Sequence, residues 1–572
     1  MALWNKWWPR KGRAPQSNSP VAAPADAPVP GPGAELRIVR AYHERTKHHL
    51  HRYAEGPAEL DWENQPDPFR RFDGSPTVEL PLPQEDPGTA YGQALVEGRV
   101  AAAPLDQAGI SRLLYDSLAI SAWKEAGETR WSLRVNPSSG NLHPTEGYLL
   151  LPSLGVEGLG ESAGVYHYAP REHLLERRAA LPADLWEDLG LARGSFLVAL
   201  SSIHWREAWK YGERAYRYCQ HDVGHALAAL AVGASGLGWR VRLVQGIGTR
   251  DLGRMIGLPD TDEDPGPEAE YPDCLVSVSP DGSEPALPPS VIARFDGLDW
   301  HGTPNALSPD HVEWDVIEVT AKAALQPSGA PPCAPWQREV SGRPPVAATG
   351  SLRQIVRQRR SALAFDGRTG MSAETFFRIM ESCMPRAGRV PFATLPWSPR
   401  VHLAVFVHRV DGLTPGLYWL QRDPASQEAT RSACREEFLW LPAEGAPEDL
   451  PLSLVLPMNL RSQAASISCG QAIAADGAFS LGMIAEFDRS LDEHGAWFYP
   501  RLYWEAGAIG QVLYLEAEAV GLRSTGIGCF LDDPMHSILG LKSRSLQSLY
   551  HFAVGKPVDD ERLTDRPAYP AP

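Results

Sequence analysis

The sequence predicts an α+β protein in which two similar domains are fused in one chain and pack together as an intramolecular pseudo-dimer. Three observations support this prediction. Segments with strand and helix character alternate along the chain, the second half repeats the first, and the two halves differ in their polar residues in a complementary way. The 572 residues also exceed what a single hydrophobic core normally serves.

Composition excludes several classes of function. A net charge of -16 leaves no clustered Lys and Arg surface for nucleic acid, and no apolar run is long enough to span a membrane. The seven cysteines are scattered without a CxxC pair, which predicts reduced thiols and neither a disulfide framework nor a zinc site. The N-terminus lacks the apolar segment of a signal peptide. We therefore expect a cytoplasmic protein.

Changes in composition divide the chain into six segments. A Pro- and Ala-rich N-terminus is expected to be disordered, and a linker rich in Pro, Gly and acidic residues is expected between the domains. The segments are the disordered N-terminus (1–34), an N-terminal extension (35–104), domain 1 (105–285), the linker (286–345), domain 2 (346–558) and a tail (559–572).

Hydrophobic periodicity predicts the elements of each domain. The predicted helices cover residues 105–120 and 373–381 and the Ala- and Leu-rich stretch ending at Gly236 and Gly238, with a further possible helix near 316–325. The predicted strands cover residues 148–151, 164–168, 196–203 and 274–278.

Four histidines in the extension allow two interpretations, a metal site or a polar helix face. They are His43, His48, His49 and His51. The polar helix face is favoured because no cysteine lies nearby and the carboxylates are scattered. We therefore predict no metal site.

The internal repeat is most regular over residues 216–258, which align without a gap on residues 499–541 at an offset of 283 (507 − 224). Gly224 aligns with Gly507, and Gly238 with Gly521. Glycines that recur at helix ends and turns reflect backbone geometry and not only apolar periodicity. Two similar units in one chain predict a fused, pseudo-twofold dimer.

One candidate site lies in the first half, in the stretch Pro137, Ser138, Ser139, Gly140 and Asn141. Its hydroxyls can hydrogen-bond a ligand, glycine permits a close approach to the backbone, and the flanking prolines stiffen the loop. Such a loop suits a planar cofactor that carries a phosphate. Composition alone favours an ordinary surface turn, and the case for a cofactor loop depends on the rest of the chain.

The second half lacks this loop but has Arg357, Arg359, Arg360 and Ser361, where the first half has no arginine pair. Guanidinium groups bind phosphate oxygens in a bidentate manner, so this segment predicts a phosphate clamp. A solvated, charged helix start is the alternative. Complementary loss of the loop in one half and the clamp in the other is expected if two ancestral interface sites have decayed to one.

Four motifs together resemble the nitroreductase superfamily, and specifically the branch of SagB-type peptide azoline dehydrogenases, as a tandem-domain member. The motifs are RRS at 359–361, PSSGNLHPTEGYL at 137–149, KYGERAYRY at 210–218 and GLRSTGIGCFLDD at 521–533. The resemblance extends over roughly residues 40–556. It implies an α+β dimer-like fold with FMN bound where the two units meet.

The resemblance also implies which residues bind FMN. It assigns the phosphate to Arg359, Arg360 and Ser361 of the second half. The first half supplies Pro137, Ser138, Ser139 and Asn141. Gly526 and Gly528 provide a later backbone contact. The sequence departs from the family where an arginine is usual, two positions beyond the serine, because Leu363 stands there.

Lys210 and Tyr211 match the Lys-Tyr pair of azoline dehydrogenases and are the predicted catalytic residues. A desolvated lysine can accept the proton that leaves with a hydride, and a tyrosine hydroxyl can orient or relay that proton. The alternative is a charged helix entry. In the repeat this pair becomes Glu493 and His494, so the half that lost the loop also lost the pair.

These residues predict an FMN-dependent dehydrogenase that acts on a heterocyclised peptide, converting an azoline to an azole, or on a related small metabolite. Two alternatives remain open. One is an NAD(P)H-dependent nitro- or quinone reductase, and the other is a non-catalytic scaffold, flavin-binding or flavin-less, in peptide natural-product biosynthesis. The expected partner is a small-molecule or modified-peptide substrate, with no nucleic acid and no membrane. Further oligomerisation of the fused dimer is compatible with the sequence.

Overall fold

The structure is a computed structural model that describes residues 33–154, 162–260, 266–334, 336 and 350–569. Nearly all of the N-terminal segment expected to be disordered, and part of the expected linker, lie outside these residues. Across the described ranges, no helix combines the length and the apolar character needed to cross a bilayer.

The first half begins with a helix that precedes its sheet and continues as a mixture of short helices and antiparallel strands. Its elements are α1 (Ala34–Arg45), β1 (Phe72–Asp73), β2 (Thr77–Glu79), α2 (Tyr91–Ala94), α3 (Gln107–Tyr115), β3 (Ile120–Ala126), β4 (Thr129–Arg134), β5 (Thr145–Leu151), β6 (Gly164–Ala169), β7 (Leu174–Ala180), α4 (Ala183–Asp188), β8 (Phe196–Ile203), α5 (His204–Tyr211), α6 (Ala215–Ser235), β9 (Arg240–Leu243), α7 (Thr249–Ile256), β10 (Glu270–Ser279), α8 (Pro289–Ile292), β11 (Thr303–Pro304) and α9 (Asp315–Ala323).

The second half has a similar succession of elements and ends in a short strand. Its elements are α10 (Leu352–Gln358), β12 (Met371–Ser372), α11 (Ala373–Ser382), β13 (Val401–Val407), β14 (Val410–Asp411), β15 (Gly416–Leu420), α12 (Gln427–Ala433), β16 (Leu441–Pro442), β17 (Leu452–Leu456), α13 (Arg461–Ile467), α14 (Ile473–Asp476), β18 (Phe479–Glu486), α15 (Phe487–His494), α16 (Tyr499–Glu518), β19 (Arg523–Ile527), α17 (Asp532–Leu539), β20 (Leu546–Gly555) and β21 (Thr564–Arg566).

Each half contains a seven-stranded antiparallel sheet, and the two sheets have equivalent strand orders. The first is β2-β7-β6-β5-β8-β10-β9 and the second is β16-β17-β15-β13-β18-β20-β19. The strand β8 and the helices α5 and α7 correspond to β18, α15 and α17 at the same offset of 283 residues (479 − 196). The fold is therefore a mixed α and β architecture with two similar parts.

The glycines that match between the halves occupy equivalent places in the structure. Gly238 and Gly521 both adopt a left-handed φ, of 69° and 72°, in the turns that follow the long helices α6 and α16. Gly224 and Gly507 lie where α6 crosses α16. A Cβ added at Gly224 would stand 2.3 Å from the carbonyl oxygen of Trp504. Only glycine lets the two backbones approach this closely.

The two long helices form the centre of the molecule. Every residue of α6, and every residue of α16 except the last, is nearly inaccessible to solvent. A helix that is buried on all sides needs apolar or small residues, or polar residues with hydrogen-bond partners, around its whole circumference. The Ala-rich second half of α6 meets the first condition, and in its first half Arg217 pairs with Asp532 and Asp222 with Ser139.

The predicted helix over 105–120 is shorter in the structure. It begins after Asp106, whose carboxylate accepts a hydrogen bond from the Gly109 backbone N–H at 2.7 Å, and it ends at Tyr115. Leu118 is buried beyond the helix end and so continues the helical spacing without being helical. The residues from Ile120 onward form β3 because they pair with β4 and with β21.

The segments outside the two predicted domains are folded onto them. Strand β2 of the extension joins the edge of the first sheet. The described part of the expected linker contains α8 and α9, which bury Ile292 and Ile317. Strand β21 of the tail pairs with β3, and Tyr569 donates a hydrogen bond to the carbonyl oxygen of Pro170 at 2.7 Å. These segments therefore belong to the packed structure.

Candidate functional site

A cavity of about 1520 Å³ lies between the two halves. This volume exceeds the range usual for a single small ligand. Both halves contribute polar, aromatic and glycine residues to its wall, together with the tail. The lining includes Pro137, Ser138, Ser139, Gly140, Asn141, Tyr211, Tyr218, Asp222 and His225 from the first half, Arg359, Arg360, Ser361, Leu363, Cys469, Tyr514, Gly526, Gly528, Cys529 and Tyr550 from the second, and Asp559, Asp560, Leu563 and Asp565 from the tail.

The first-half loop has a tightly specified backbone. Gly140, Asn141 and His143 all have positive φ, of 60°, 60° and 53°. The Asn141 side chain donates to the carbonyl oxygen of Ser132 at 2.8 Å, and the Ser138 hydroxyl accepts from the His143 N–H at 2.8 Å. The side chains of Asn141 and Ser138 therefore fix the loop from within while it forms part of the cavity wall.

Asp222 anchors this loop from helix α6. Its carboxylate accepts hydrogen bonds from the Ser139 backbone N–H at 3.1 Å and from the Ser139 hydroxyl at 3.2 Å. Burial raises the pKa of Asp222 to about 7, although the hydrogen bonds from Ser138 and Ser139 oppose the shift. The loop is thus held by a carboxyl group that titrates near neutral pH.

Lys210 and Tyr211 end helix α5 directly beside the loop. A Cβ added at Gly140 would lie 2.6 Å from the Tyr211 hydroxyl and 3.1 Å from Lys210 Nζ. Gly140 is therefore required for this approach. Burial lowers the pKa of Lys210, and the carboxylate of Glu207 partly opposes that shift. Burial also raises the pKa of Tyr211, so its hydroxyl stays protonated.

Glu207 adds a fourth titratable group beneath the loop. Neither of its buried carboxylate oxygens has a hydrogen-bond partner among the residues that the structure describes. Burial raises the pKa of Glu207 well above its usual range, and the carboxylate of Asp222 raises it further.

The arginine segment of the second half follows helix α10. The Ser351 hydroxyl caps the start of this helix by accepting from the Gln354 N–H at 3.0 Å. Past its end the chain is extended, and Ser361 bridges to Ser524 of β19. The segment therefore begins at a helix C-terminus, a position that the sequence did not indicate.

Arg359 is buried in the cavity wall, with 4% of its surface exposed. It donates to the carbonyl oxygen of Arg134 at 2.9 Å, and its guanidinium lies 4.9 Å from the centre of the Tyr514 ring. Its Nε has no hydrogen-bond partner within the described part of the chain. Burial lowers the pKa of Arg359 to about 10, which leaves it cationic at neutral pH. A buried cation of this kind suits an anionic ligand.

Arg360 is held by the tail. Its Nε donates to Asp565 at 3.1 Å, and Lys124 Nζ lies 2.9 Å from the other oxygen of the same carboxylate. Arg523 is paired in the same way with Asp559 at 2.7 Å. A phosphate at Arg360 would have to share this guanidinium with Asp565.

Tyr514 connects two of the predicted motifs. Its hydroxyl lies 2.9 Å from the Ser361 hydroxyl and accepts from the Gly526 N–H at 3.1 Å. Gly526 and Gly528 are glycines for steric reasons as well. A Cβ at Gly526 would lie 2.0 Å from the Tyr550 hydroxyl, and one at Gly528 would lie 2.2 Å from a Tyr218 ring carbon.

The residues present fit a cofactor that carries a phosphate. Arg359 offers a buried cation with an unpartnered Nε, while the loop and the glycines 526 and 528 form a wall without bulky side chains. A metal centre has no such support, since the described residues contain no group of three or more His, Cys, Asp or Glu side chains able to hold an ion.

Known proteins resemble this chain at the level of the fold. The nitroreductase family model matches residues 356–556. The solved structure of a candidate nitroreductase from Anabaena variabilis superposes with a TM-score of 0.64 over 91% of this chain and 99% of its own, at 22% identity. The chain has the nitroreductase fold. The second half carries a nitroreductase family domain.

Two further structures with this fold superpose on smaller parts of the chain. A candidate nitroreductase from Ralstonia eutropha covers 39% of this chain and 96% of its own, at 18% identity and a TM-score of 0.26. The E. coli microcin synthetase McbBCD complex, with truncated pro-MccB17 bound, covers 39% and 79%, at 19% identity and a TM-score of 0.26. Their TM-scores are too low to support a functional argument. No curated protein matches the chain.

The repeat locates the second, pseudo-symmetric position of this nitroreductase fold, and large side chains fill it. Arg501, which corresponds to Tyr218, lies 4.2 Å from the Trp497 ring and 5.0 Å from the Trp504 ring. Glu505, which corresponds to Asp222, accepts from Trp397 Nε1 at 3.2 Å. A space of about 30 Å³ remains beside these residues, enough for about one water molecule.

Sequence reasoning missed several residues of the cavity wall. Asp222 contacts the loop and His225 contacts Gln511 of the second half, and both residues line the cavity. Tyr514 and Tyr550 gave no signal because an aromatic residue in a buried helix or strand resembles ordinary core. Leu363, at the position where the family usually has arginine, faces the cavity with 47% of its surface exposed.

Proposed function

We propose that the protein is an FMN-dependent oxidoreductase that dehydrogenates a heterocyclised peptide, from azoline to azole, or a related small metabolite. One observation carries the proposal. The loop 137–141 of the first half and the segment 359–361 of the second half, far apart in sequence, line the same cavity. The nitroreductase fold and the family match over residues 356–556 support an oxidoreductase.

Each predicted residue has a role in this proposal. Arg359, Arg360 and Ser361 would hold the FMN phosphate, with the loop 137–141 and the backbone at 526 and 528 against the rest of the cofactor. Bound FMN supplies the hydride acceptor. The filled pseudo-symmetric position supports one flavin per chain. The remaining cavity volume is available to the substrate.

Lys210 would take the proton that leaves with the hydride. Burial lowers the pKa of its ammonium group, which increases the neutral fraction able to accept a proton at Nζ. The Tyr211 hydroxyl reaches the same face of Gly140 and would orient the substrate or relay the proton. The reactions of a reductase that uses NAD(P)H would not need this base.

The colour and redox behaviour of the purified protein test the assignment. We expect a yellow protein, or a colourless one that FMN turns yellow. A colourless protein that FMN does not reconstitute would leave only the scaffold alternative. Anaerobic mixing with NADPH then separates the two enzymatic alternatives, because rapid bleaching favours a nitro- or quinone reductase.

Replacing Lys210 with alanine tests the mechanism. We expect Lys210→Ala to retain bound FMN and to lose the dehydrogenation of a synthetic peptide that bears a thiazoline ring, measured by the mass of the product. Lys322→Ala on α9, where the lysine forms an exposed pair with Glu318, serves as the control and should behave as wild type. Unchanged turnover in Lys210→Ala would remove this residue from the mechanism.

We further propose a cytoplasmic location and a modified-peptide or small-molecule substrate. The seven cysteines are unpaired in the structure, as a reducing compartment allows. The net charge of -16 gives no support for a nucleic-acid partner.

A further inference from the structure

Two cysteines from separate parts of the second half meet in the cavity wall. Cys469 follows helix α13, and Cys529 follows Gly528 at the end of β19. Their sulfur atoms lie 2.7 Å apart. Both residues are partly exposed and line the cavity, so a small solute can reach them. Neither the proposed flavin site nor the proposed base uses this pair.

The surrounding structure fastens the two cysteine loops together. Cys469 has a φ of 55°, a left-handed conformation that is uncommon for residues other than glycine. The Gln471 side chain donates to the carbonyl oxygen of Cys529 at 3.2 Å. The Gly470 N–H donates back to the carbonyl oxygen of Ala465 at 2.9 Å. Contact between the sulfurs is therefore built into the local backbone.

The two thiols differ in their electrostatic surroundings. Arg214 donates to the carbonyl oxygen of Gly528 at 3.4 Å and lies 4.9 Å from the ring of Phe530, so it stands beside both neighbours of Cys529. The contact with Cys469 lowers the pKa of Cys529, and the charge of Arg214 lowers it further. The same contact raises the pKa of Cys469. Because Arg214 stands beside both neighbours of Cys529, its positive charge favours the Cys529 thiolate as the attacking sulfur.

We propose that Cys469 and Cys529 form a redox-active pair that hydrogen peroxide converts reversibly to a disulfide. The Cys529 thiolate attacks one peroxide oxygen, the O–O bond breaks, and a sulfenic acid and hydroxide form. The Cys469 sulfur then attacks the Cys529 sulfur, and the sulfenic oxygen leaves as water. In total, two thiols lose two electrons and two protons, and one peroxide becomes two waters.

The geometry requires little movement for this step. A disulfide has an S–S length of about 2.05 Å, so the sulfur atoms need to approach by less than about 1 Å. The bond would join the two loops beside Gly528. A dithiol reductant such as dithiothreitol restores both thiols and is itself oxidised to its cyclic disulfide. Because the step uses peroxide and not the cofactor, it can be tested whether or not FMN binds.

Thiol counting and peptide mapping test the proposal on the full chain. The reduced protein is treated with hydrogen peroxide, denatured and titrated with a chromogenic thiol reagent. We expect two of the seven thiols to disappear and to return with dithiothreitol. Mass spectrometry of the digest should find one cross-link, between the peptides that contain Cys469 and Cys529.

Serine variants separate the two roles. Cys469→Ser should form no cross-link and should leave Cys529 as a sulfenic acid that dimedone traps. Cys529→Ser should resist peroxide. Cys333→Ser is the matched control, because Cys333 is partly exposed and contacts no other cysteine within the described ranges. This variant should lose two thiols, as wild type does.

Three results would overturn the proposal. They are loss of thiols spread over all the cysteines, cross-links between different chains, and dimedone trapping in the wild type with no cross-link. If a serine variant fails to fold, as judged by circular dichroism, peptide mapping of the wild type still decides between disulfide formation and its absence.

Discussion

Asp222→Asn should change how stability depends on pH, by an amount that follows from the burial of this carboxyl group. Burial raises the pKa of Asp222 from an ordinary value of 3.8 to about 7. Between these values the folded protein holds a proton that the unfolded chain has released. Stability is therefore greatest below the lower pKa and falls as the pH rises toward the upper one. Between these two limits the contribution of Asp222 to the free energy of unfolding changes by about 4 kcal/mol.

Asparagine carries no charge and keeps an oxygen that can accept from Ser139, so it removes this pH dependence. The free energy of unfolding of Asp222→Asn, relative to that of wild type, should therefore rise by about 3 kcal/mol between roughly pH 5 and pH 8. Thermal midpoints at the two pH values measure the trend. Difference infrared spectra measure protonation directly through the carboxyl stretching band, which does not require two-state unfolding.

Asp273 provides a matched control. Burial also raises its pKa to about 7, but its carboxylate accepts from Ser202 and Gln220 and does not line the large cavity. Asp273→Asn should reproduce the change in stability and leave FMN binding as in wild type. A constant stability difference between Asp222→Asn and wild type at all pH values would refute the reasoning, because Asp222 would then be ionised in the folded protein.

Two other substitutions test the clamp and the helix crossing. Arg359→Ala should weaken FMN binding by about 10- to 100-fold, measured by flavin fluorescence titration. Arg357→Ala should have little effect because Arg357 is turned away from the cavity, and equal losses would exclude a specific clamp. Gly224→Ala should lower the thermal midpoint through a clash with Trp504, at a cost of about 3 kcal/mol. Gly297→Ala, with open space around it, should not, and a Gly224→Ala variant as stable as wild type would contradict the close packing.

The repeat made much of the fold accessible from the sequence. Gly238 and Gly521 sit in equivalent left-handed turns, and Gly224 and Gly507 sit at one crossing, so their alignment recorded backbone geometry. The apolar stretch at 196–203 coincides with β8. The sequence predicted the positions of these glycines because each half of the chain has the same backbone requirement at the equivalent residue.

Long-range pairing set the limits of the sequence analysis. The hairpin β3–β4 was not predicted, and one of its neighbours, β21, lies more than 400 residues away in the chain. Asp565 of the same tail contacts Arg360, and no sequence pattern near either residue predicts this contact. The hydrogen bond between Asp222 and Ser139 depends on how α6 packs against the loop. Neither composition nor periodicity predicts contacts between segments that are distant in sequence.

The filled position around Trp497 and Arg501 bears on how such a chain can evolve. In a dimer of identical subunits every substitution occurs in both sites at once, so a tryptophan that closes one site also closes the other. Fusion removes this constraint. Once each half has its own codons, one position can be packed for stability while the other keeps its loop, its arginines and its lysine. Asymmetry of this kind is available to a fused chain and closed to a symmetric dimer.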